Sequence, residues 1–281
     1  MTQATRRFHQ VDVFTATPLR GNPLAVVHGA GGLDDTQMAA FARWTNLSET
    51  TFLLPPTAPE ADYRVRIFTP GGELPFAGHP TLGSAWAWRA AGGRPKVADR
   101  IVQQCGVGLV EVKQDGERLA FAAPPLRRRG PLDEAALATI ARALALPADA
   151  IRHHQWVDNG PGWCAVMLDS AAQVLALRPD WAALGGLKLG VVGPQPAGAE
   201  TQFEVRAFVP GMGVPEDPVT GSLNAGLALW LIGAGLAPPS YVAAQGAALQ
   251  RAGRVFIDRD GDGTVWVGGV VTPLVDGTVA L

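Results

Sequence analysis

The stretch R-I-F-T-P-G-G-E-L-P-F-A-G-H-P-T-L-G-S-A-W-A-W, from Arg66 to Trp88, decides the fold of this chain. Its residues predict a short strand over Val65–Phe68, a turn rich in glycine and proline over Pro70–Gly78, and a helix that opens at Pro80. Proline suits the first helical position because that residue's N–H has no partner within a helix. The spacing therefore predicts His79 at the N-cap, beside unpaired backbone N–H groups and the positive end of a helix dipole. Such a helix end suits an anionic group.

The same pattern occurs a second time, about 140 residues further along. A shift of 140 places Val65, Arg66, Phe68, Pro70, Gly71 and Pro75 on Val205, Arg206, Phe208, Pro210, Gly211 and Pro215. Beyond the turn, a shift of 138 places Pro80, Gly83, Ser84 and Ala87 on Pro218, Gly221, Ser222 and Ala225. His79 then corresponds to Asp217. Two copies so far apart favour two similar half-domains over a solenoid of short repeats.

Both predicted motif helices, Thr81–Ala91 and Thr220–Ile232, consist mostly of Ala, Gly, Leu, Trp and Ser. A helix that is apolar all round is a buried helix. Because predicted strands outnumber the helices, the sequence predicts an α+β fold with two pseudo-symmetric half-domains, each a curled β-sheet (a roll or barrel) around one central buried helix. We expect the N-termini of both helices to face an active site in the cleft between the half-domains.

A segment rich in proline and arginine, residues 124–131, is the predicted linker. It separates an N-terminal half-domain over residues 1–123 from a C-terminal half-domain over residues 132–281. Alternatively, the last strand pairs back with the N-terminal half-domain.

The composition excludes several classes of protein. A net charge of −2 without a clustered basic face argues against nucleic acid as a partner. Two cysteines, Cys105 and Cys164, cannot form a disulfide framework, so we expect a reduced, cytoplasmic setting. The most apolar stretch, Leu223–Leu236, is too short to span a bilayer, and residues 1–10 lack the apolar core of a signal peptide. No Cys or His cluster has the spacing of metal ligands, so we expect no metal. Because the most apolar stretch is too short to span a bilayer, we expect no membrane partner.

A series of motifs follows in order along the chain: V-D-V-F-T (11–15), G-N-P (21–23), N-L-S-E-T (46–50), E-L-P-F-A-G-H-P-T-L-G (73–83) and E-D-P-V-T-G-S (216–222). In these residues the chain resembles the PhzF-like isomerase family of phenazine biosynthesis, whose fold is that of diaminopimelate epimerase. The resemblance implies that Glu49 is the catalytic acid/base, supported by His79 and Asp217. The residues expected to bind substrate are Asn22, Ser48, Gly78, Pro80, Thr220, Gly221 and Ser222. The family also implies a homodimer, a small-molecule substrate and no cofactor.

The absence of cysteine from both motifs narrows the chemistry. The related epimerase looks to need one thiol in each motif, on opposite faces of a carbon, whereas this chain carries His79 and Asp217 there. Racemisation through two thiols is therefore excluded, but one carboxylate is able to remove a proton and return it elsewhere on the same face. The sequence predicts an isomerase in which Glu49 moves a proton on a small anionic metabolite, carboxylate-bearing and either cyclic or open.

Two other functions stay open at this point. One is a metabolite-binding protein that keeps the fold without turnover, and the other is an epimerase with Glu49 or Asp217 as its second base. Each residue also has a purely structural explanation: Glu49 as a surface residue after a helix, His79 as a helix cap, and Asp217 as a turn residue.

Overall fold

The computed structural model describes residues 4–211 and 214–281. The chain divides into two compact units, the first formed by residues up to 122 together with 268–281, and the second by residues 123–267. The sequence analysis assigned residues 132–281 to the second half-domain and left open that the last strand pairs back with the first half-domain. In the structure that final segment belongs with the first unit.

The secondary structure contains mostly strands, as the sequence predicts. The strands are β1 (Thr5–Val13), β2 (Asn22–Val27), β3 (Glu49–Leu54), β4 (Tyr63–Thr69), β5 (Gly72–Leu74), β6 (Arg100–Cys105), β7 (Gly108–Asp115), β8 (Arg118–Ala122), β9 (His153–Trp156), β10 (Trp163–Met167), β11 (Lys188–Pro194), β12 (Phe203–Phe208), β13 (Glu216–Asp217), β14 (Ser240–Gln245), β15 (Gly253–Arg259) and β16 (Val265–Ala280). The helices are α1 (Asp35–Thr45), α2 (Gly78–Ala90), α3 (Glu134–Ala143), α4 (Ala171–Ala176), α5 (Trp181–Leu184) and α6 (Gly221–Gly233), with 3-10 turns at Ala148–Ala150 and Ala247–Leu249. None of these helices, within the described ranges, has the length and apolar character needed to cross a membrane.

The first unit is a closed β-barrel. Its strands pair in the order β1–β2–β3–β4–β6–β7–β8–β16, and β16 pairs back onto β1 in antiparallel register. The short strand β5 lies outside this cycle and pairs with β4. Because β2 and β3 are parallel, with Leu24 opposite Glu49, the first residues of both strands lie at the same end of the barrel. Asn22 and Glu49 thus lie near each other, at the starts of two adjacent strands.

The helix α2 is buried inside this barrel and packs on β1, β2 and β3. A Cβ added at Gly83 would lie 2.5 Å from Cδ2 of Leu24, closer than real Cβ contacts come, and 3.1 Å from Cγ2 of Val11 and Val13, which is tighter than most. The absence of a side chain at Gly83 therefore allows the helix to approach the strands. This packing confirms the predicted buried helix within a curled sheet.

Polar side chains inside the barrel are paired with one another. Ser84 Oγ donates to Thr51 Oγ1 at 3.0 Å, and Gln103 Nε2 donates to Thr81 Oγ1 at 3.0 Å. Tyr63 in turn donates its hydroxyl proton to Gln103 Oε1 at 2.8 Å. Because a buried polar group without a partner is costly, these bonds define the rotation of α2 about its axis.

The helix α1 leads the chain into Glu49. Asp34 and Gln37 form a capping box at its start, and Asn46 ends it in the left-handed conformation. Its apolar side, Met38 and Phe41, packs in a cluster with residues of β2, β3 and β4. The chain therefore leaves α1 next to the end of the barrel at which β3 begins.

The second unit contains a sheet in the order β15–β14–β12–β11–β10–β9, with α6 buried against it. A Cβ added at Gly190 would contact Leu223 of α6, whereas Leu189 and Val191 pack in a core with residues of α3, α4 and α5. Successive residues of a strand face opposite sides. The sheet is therefore covered on both sides, which explains why every residue of β12 is buried.

A buried carboxyl group, Glu204, lies in β12 and is only 3% exposed. Gln195 Nε2 donates to its Oε2 at 3.3 Å. Burial raises the pKa of Glu204 to about 7, against the opposing influence of Arg254 and Arg206. The folded protein therefore favours the protonated carboxyl.

We expect replacement of Gly83 by alanine to destabilise the protein by about 1–3 kcal/mol, because the new methyl group overpacks the contact between α2 and the barrel. Urea unfolding of Gly83→Ala and wild type measures the difference. Gly31→Ala is the matched control, since a Cβ there meets no atom within 4 Å. Equal stability of Gly83→Ala and wild type would contradict the packing described for α2.

Glu204→Gln should be more stable than wild type above neutral pH. With an ordinary pKa of 4.5 raised to about 7, Glu204 costs the wild type stability progressively as pH rises between those values, about 3 kcal/mol in all. Glutamine does not ionise, so the stability gap should open between pH 4.5 and 8. Unfolding curves of wild type and Glu204→Gln at pH 4.5 and at pH 8 test this, and Glu200→Gln, at an exposed position, is the control. A difference in stability that does not change with pH would refute the prediction.

Candidate active site

The N-terminus of α2 differs in one respect from the sequence-based prediction. His79 is not the N-cap: the helix begins at Gly78, Ala77 occupies the cap position, and Pro80 is the third helical residue. Proline is tolerated there because the first four N–H groups of a helix have no intrahelical partner. The imidazole therefore projects from the first turn of the helix, not from the loop before it.

Glu49 and His79 are neighbours at this end of the barrel. Glu49 Oε2 lies 3.3 Å from His79 Nε2. The side chain of Glu49 is 12% exposed, whereas that of His79 is 4% exposed. Of the two groups, Glu49 is therefore the one with more access to solvent.

Burial determines the charge of His79. It lowers the pKa of the imidazole to about 3, and the backbone carbonyl of Pro23 opposes this only in part. The ring is thus neutral at physiological pH, and the main cause is loss of contact with water.

The other residues predicted for this unit lie around the pair. Asn22 is fully buried as the first residue of β2, and its Nδ2 lies 3.2 Å from His79 Nδ1. Gly78 and Pro80 are buried in the first turn of α2, and Ser48 is half-buried just before Glu49. Substrate binding by these four residues stays a prediction.

In the second unit, Asp217 ends the short strand β13, which pairs with β12 so that Asp217 lies opposite Ala207. The helix α6 begins four positions later, at Gly221. A proline follows both residues, Pro80 after His79 and Pro218 after Asp217, so proline does not account for the difference between them. His79 lies in the first turn of its helix, whereas Asp217, which corresponds to it in the repeated motif, lies in a strand before its helix.

The residues around Asp217 are tied together by hydrogen bonds. Thr220 Oγ1 donates to Asp217 Oδ2 at 2.5 Å, so it does not cap α6. Gln245 Nε2 donates to Thr220 Oγ1 at 2.9 Å and to the Asp217 carbonyl at 3.1 Å. Asn224 Nδ2 donates to Gln245 Oε1 at 2.9 Å. The Asp217 carboxylate is thereby held in place.

Ser222 is fixed from two sides. Trp163 Nε1 donates to its hydroxyl oxygen at 3.0 Å, and Asn159 Nδ2 donates to its carbonyl at 2.8 Å. Since a hydroxyl group also has one proton to give, this arrangement leaves the Ser222 proton available for another acceptor. Thr220 and Gly221 are buried at the same helix end.

Each copy of the motif contains a forked arginine–glutamate pair. Arg66 donates from Nε and Nη2 to the two oxygens of Glu73 at 2.8 and 2.6 Å, and Arg206 donates in the same way to Glu216 at 2.9 and 2.7 Å. The environments differ: the side chains of Arg66 and Glu73 are 17% and 41% exposed, those of Arg206 and Glu216 only 5% and 4%. The buried pair holds β13, and with it Asp217, against β12.

Other chemistries would depend on a metal-binding cluster or on the two cysteines. No cluster of three or more His, Cys, Asp or Glu residues suited to a metal ion occurs within 4–211 and 214–281. Cys164 is fully buried, and burial raises the pKa of its thiol to about 12. Cys105 is half-buried with a raised pKa. Thiolate chemistry is therefore disfavoured at both positions.

Several supporting residues were not identified from the sequence. Asp12 alternates with apolar residues along β1, a pattern typical of a side chain that faces solvent. It is nevertheless fully buried and accepts a hydrogen bond from the Gly21 N–H at 3.0 Å. The turn N-G-P at Asn159 resembles the earlier G-N-P turn, a signal that could have marked it. Trp163 and Gln245 carry no comparable signal, since their roles depend on contacts between distant strands and α6.

Comparisons with known proteins agree along the length of the chain. The family described as phenazine biosynthesis-like protein (PhzC-PhzF) matches residues 11–277. Antisense-enhancing sequence 1 of Schizosaccharomyces pombe is 37% identical over 96% of this chain and 97% of its own. Trans-2,3-dihydro-3-hydroxyanthranilate isomerase of Pseudomonas aeruginosa is 37% identical over 80% and 79%. The structure of a predicted epimerase from Pseudomonas aeruginosa covers 98% of this chain and 99% of its own, with a TM-score of 0.79 and 28% identity.

Glu216→Gln should destabilise the protein by about 3 kcal/mol, because it leaves the buried Arg206 charge without a counter-charge. Glu73→Gln removes the same forked geometry at a more exposed position and should cost less than about 1 kcal/mol. Urea unfolding of both variants measures the contrast. Equal losses would show that burial does not distinguish the two pairs.

Proposed function

The chain belongs to the phenazine biosynthesis-like (PhzC-PhzF) family, which includes isomerases, and on that basis we propose that it is a cofactor-independent isomerase in which Glu49 moves a proton within a small anionic substrate. The observation that carries the proposal is the approach of Glu49 Oε2 to within 3.3 Å of the buried His79 Nε2. A carboxylate in this position lies beside a buried ring and keeps partial access to solvent.

The low pKa of His79 favours Glu49 as the group that carries the proton. With the His79 pKa at about 3, charging the imidazole at pH 7 would cost about 5 kcal/mol. His79 is therefore a poor proton acceptor, and its neutral ring lies beside the carboxylate. Glu49 takes a proton from a substrate carbon, which breaks a C–H bond and forms O–H, and then returns that proton to another atom of the same substrate. The enzyme ends each cycle unchanged, so the step needs no redox partner.

The start of α6, within the second unit, has groups suited to an anion. The N–H groups of Gly221 and Ser222 are at the positive end of α6, where the Thr220 side chain does not cap the helix. The Ser222 hydroxyl keeps a proton to donate. We propose that these groups bind a carboxylate and that Asp217, held by Thr220, binds a polar group.

The substrate to test first is trans-2,3-dihydro-3-hydroxyanthranilate, because a relative with 37% identity is named as its isomerase. Glu49→Gln should lower the rate of isomerisation, and of deuterium incorporation from heavy water, by about 10³-fold. Glutamine preserves the shape of the side chain but does not accept a proton. Glu60→Gln, at an exposed loop position, is the control and should retain the wild-type rate.

Three outcomes separate the candidates. Wild-type exchange in Glu49→Gln would refute proton transfer by Glu49. Binding of the compound by both wild type and Glu49→Gln, with no conversion by either, would favour a metabolite-binding protein. Inversion at one carbon of the product would favour an epimerase, the activity predicted for the solved Pseudomonas aeruginosa relative.

A further inference from the structure

Gln245 is the centre of the hydrogen bonds at the start of α6. It ends β14 and lies opposite Val205 of β12 and Gly253 of β15, so its backbone is fixed on both sides. Gln245 is 2% exposed, whereas Asp217 is half-buried. A buried amide therefore lies beside a carboxylate that keeps access to solvent.

The orientation of the Gln245 amide follows from two backbone groups. The N–H of Thr220 donates to Oε1 at 3.0 Å, and the carbonyl of Asp217 accepts from Nε2 at 3.1 Å. A backbone N–H does not accept a hydrogen bond, and a carbonyl does not donate one. The reverse orientation of the amide would bring two donors together and two acceptors together. The backbone therefore decides which end of the amide donates.

This orientation gives the remaining bonds a single direction. Asn224 Nδ2 donates to Gln245 Oε1 at 2.9 Å, and Gln245 Nε2 donates to Thr220 Oγ1 at 2.9 Å. Because the Thr220 oxygen accepts this bond, its own proton goes to Asp217 Oδ2, which lies at 2.5 Å. The donors thus follow one another from Asn224 through Gln245 and Thr220, and the last of them meets the Asp217 carboxylate.

A similar series of bonds in the first unit ends differently. Gln103 Nε2 donates to Thr81 Oγ1 at 3.0 Å, and the Thr81 hydroxyl donates to the Ala77 carbonyl at 2.9 Å. That series ends on the backbone of α2 and serves the packing of the helix. The series at α6 ends instead on an ionisable side chain that reaches solvent.

We propose that Gln245 is a positioning residue that directs the Thr220 proton onto Asp217 and so holds this carboxylate as a hydrogen-bond acceptor toward a ligand at the start of α6. The inference rests on the proposed function, in which this helix start binds a carboxylate and Asp217 a polar group. If the Thr220 proton pointed away from Asp217, an oxygen lone pair would face Oδ2 and favour a protonated, donating carboxyl group. The ligand group that fits Asp217 is therefore a donor, such as an amino group.

Anthranilate and benzoate are the probes, because they differ by one amino group beside the same carboxylate. Calorimetry should show that wild type binds anthranilate about 10-fold more tightly than benzoate, the effect of one hydrogen bond to a charged group. In Gln245→Glu at pH 9 the introduced carboxylate accepts the Thr220 proton, so this preference should fall below about twofold. At pH 6 the introduced group is protonated, since burial disfavours its charge, and it donates to Thr220 as the amide does. The preference should then return.

Gln202→Glu is the matched control, because it is the same substitution at an exposed glutamine of the same unit. Its preference for anthranilate, like that of wild type, should not change between pH 6 and pH 9. A preference in Gln245→Glu that is equally independent of pH overturns the inference. A purely structural role for Gln245 would weaken the binding of both probes together and leave their ratio unchanged.

Two variants of Thr220 keep the inference testable if Gln245→Glu does not fold. Thr220→Ser keeps the hydroxyl group and should keep the preference for anthranilate. Thr220→Val has a similar shape without the hydroxyl group, and its preference should fall to about threefold or less. An equal preference in these two variants overturns the inference.

The ratio of the two affinities is measured without turnover, so this inference and the proposed isomerase fail separately. Proton exchange by Glu49→Gln at the wild-type rate would remove the proposed role of Glu49 and leave the ratio unaffected. If wild type does not bind anthranilate more tightly than benzoate, or binds neither, the inference is overturned whatever the result for Glu49.

Discussion

The site in the first unit depends on the enclosure of an apolar helix by a closed sheet. The helix α2 has few polar positions that could face water, so it is stable only if the sheet surrounds it. Closure is completed by β16, whose residues pair with β1 from the opposite end of the chain. The lack of a side chain at Gly83 sets the close approach of α2 to the strands, and the bonds of Ser84 and Thr81 set its rotation.

Enclosure also determines the electrostatics. The first turn of α2 brings His79 between Asn22 and Glu49, which begin adjacent parallel strands. Out of contact with water, the imidazole loses its charge and becomes a neutral hydrogen-bonding group. The same burial that stabilises the helix therefore keeps His79 from accepting a proton beside the Glu49 carboxylate.

The two copies of the motif show how one local pattern acquires two environments. Both contain a forked arginine–glutamate pair on a strand that precedes a buried helix, but only Arg206 and Glu216 are enclosed on both sides. The equivalent positions His79 and Asp217 also diverge: Asp217 ends a strand, whereas His79 lies in the first turn of its helix, although a proline follows each of them. Similar sequence has thus produced one helix-borne imidazole and one strand-borne carboxylate.

The sequence alone determined the local elements and the motif residues. Apolar composition identified α2 and α6 as buried, and the ordered motifs indicated the family. The capping box at Asp34 and Gln37 is a local signal of the same kind for the start of α1. Local signals were sufficient there because capping and helix burial depend on residues near in sequence. They failed at the start of α2, where Pro80 was taken as the first helical residue and is the third.

Only the tertiary structure decided which polar residues are buried and which atoms face each other. Asp12 and Asn22 look like ordinary strand and turn residues, and their burial follows from pairing with segments up to 260 residues away, such as Thr272 opposite Asp12. The charge of His79 likewise depends on how completely β1, β2 and β3 exclude water around it. Desolvation and the direction of a hydrogen bond are properties of the assembled barrel, and no local stretch of sequence contains them.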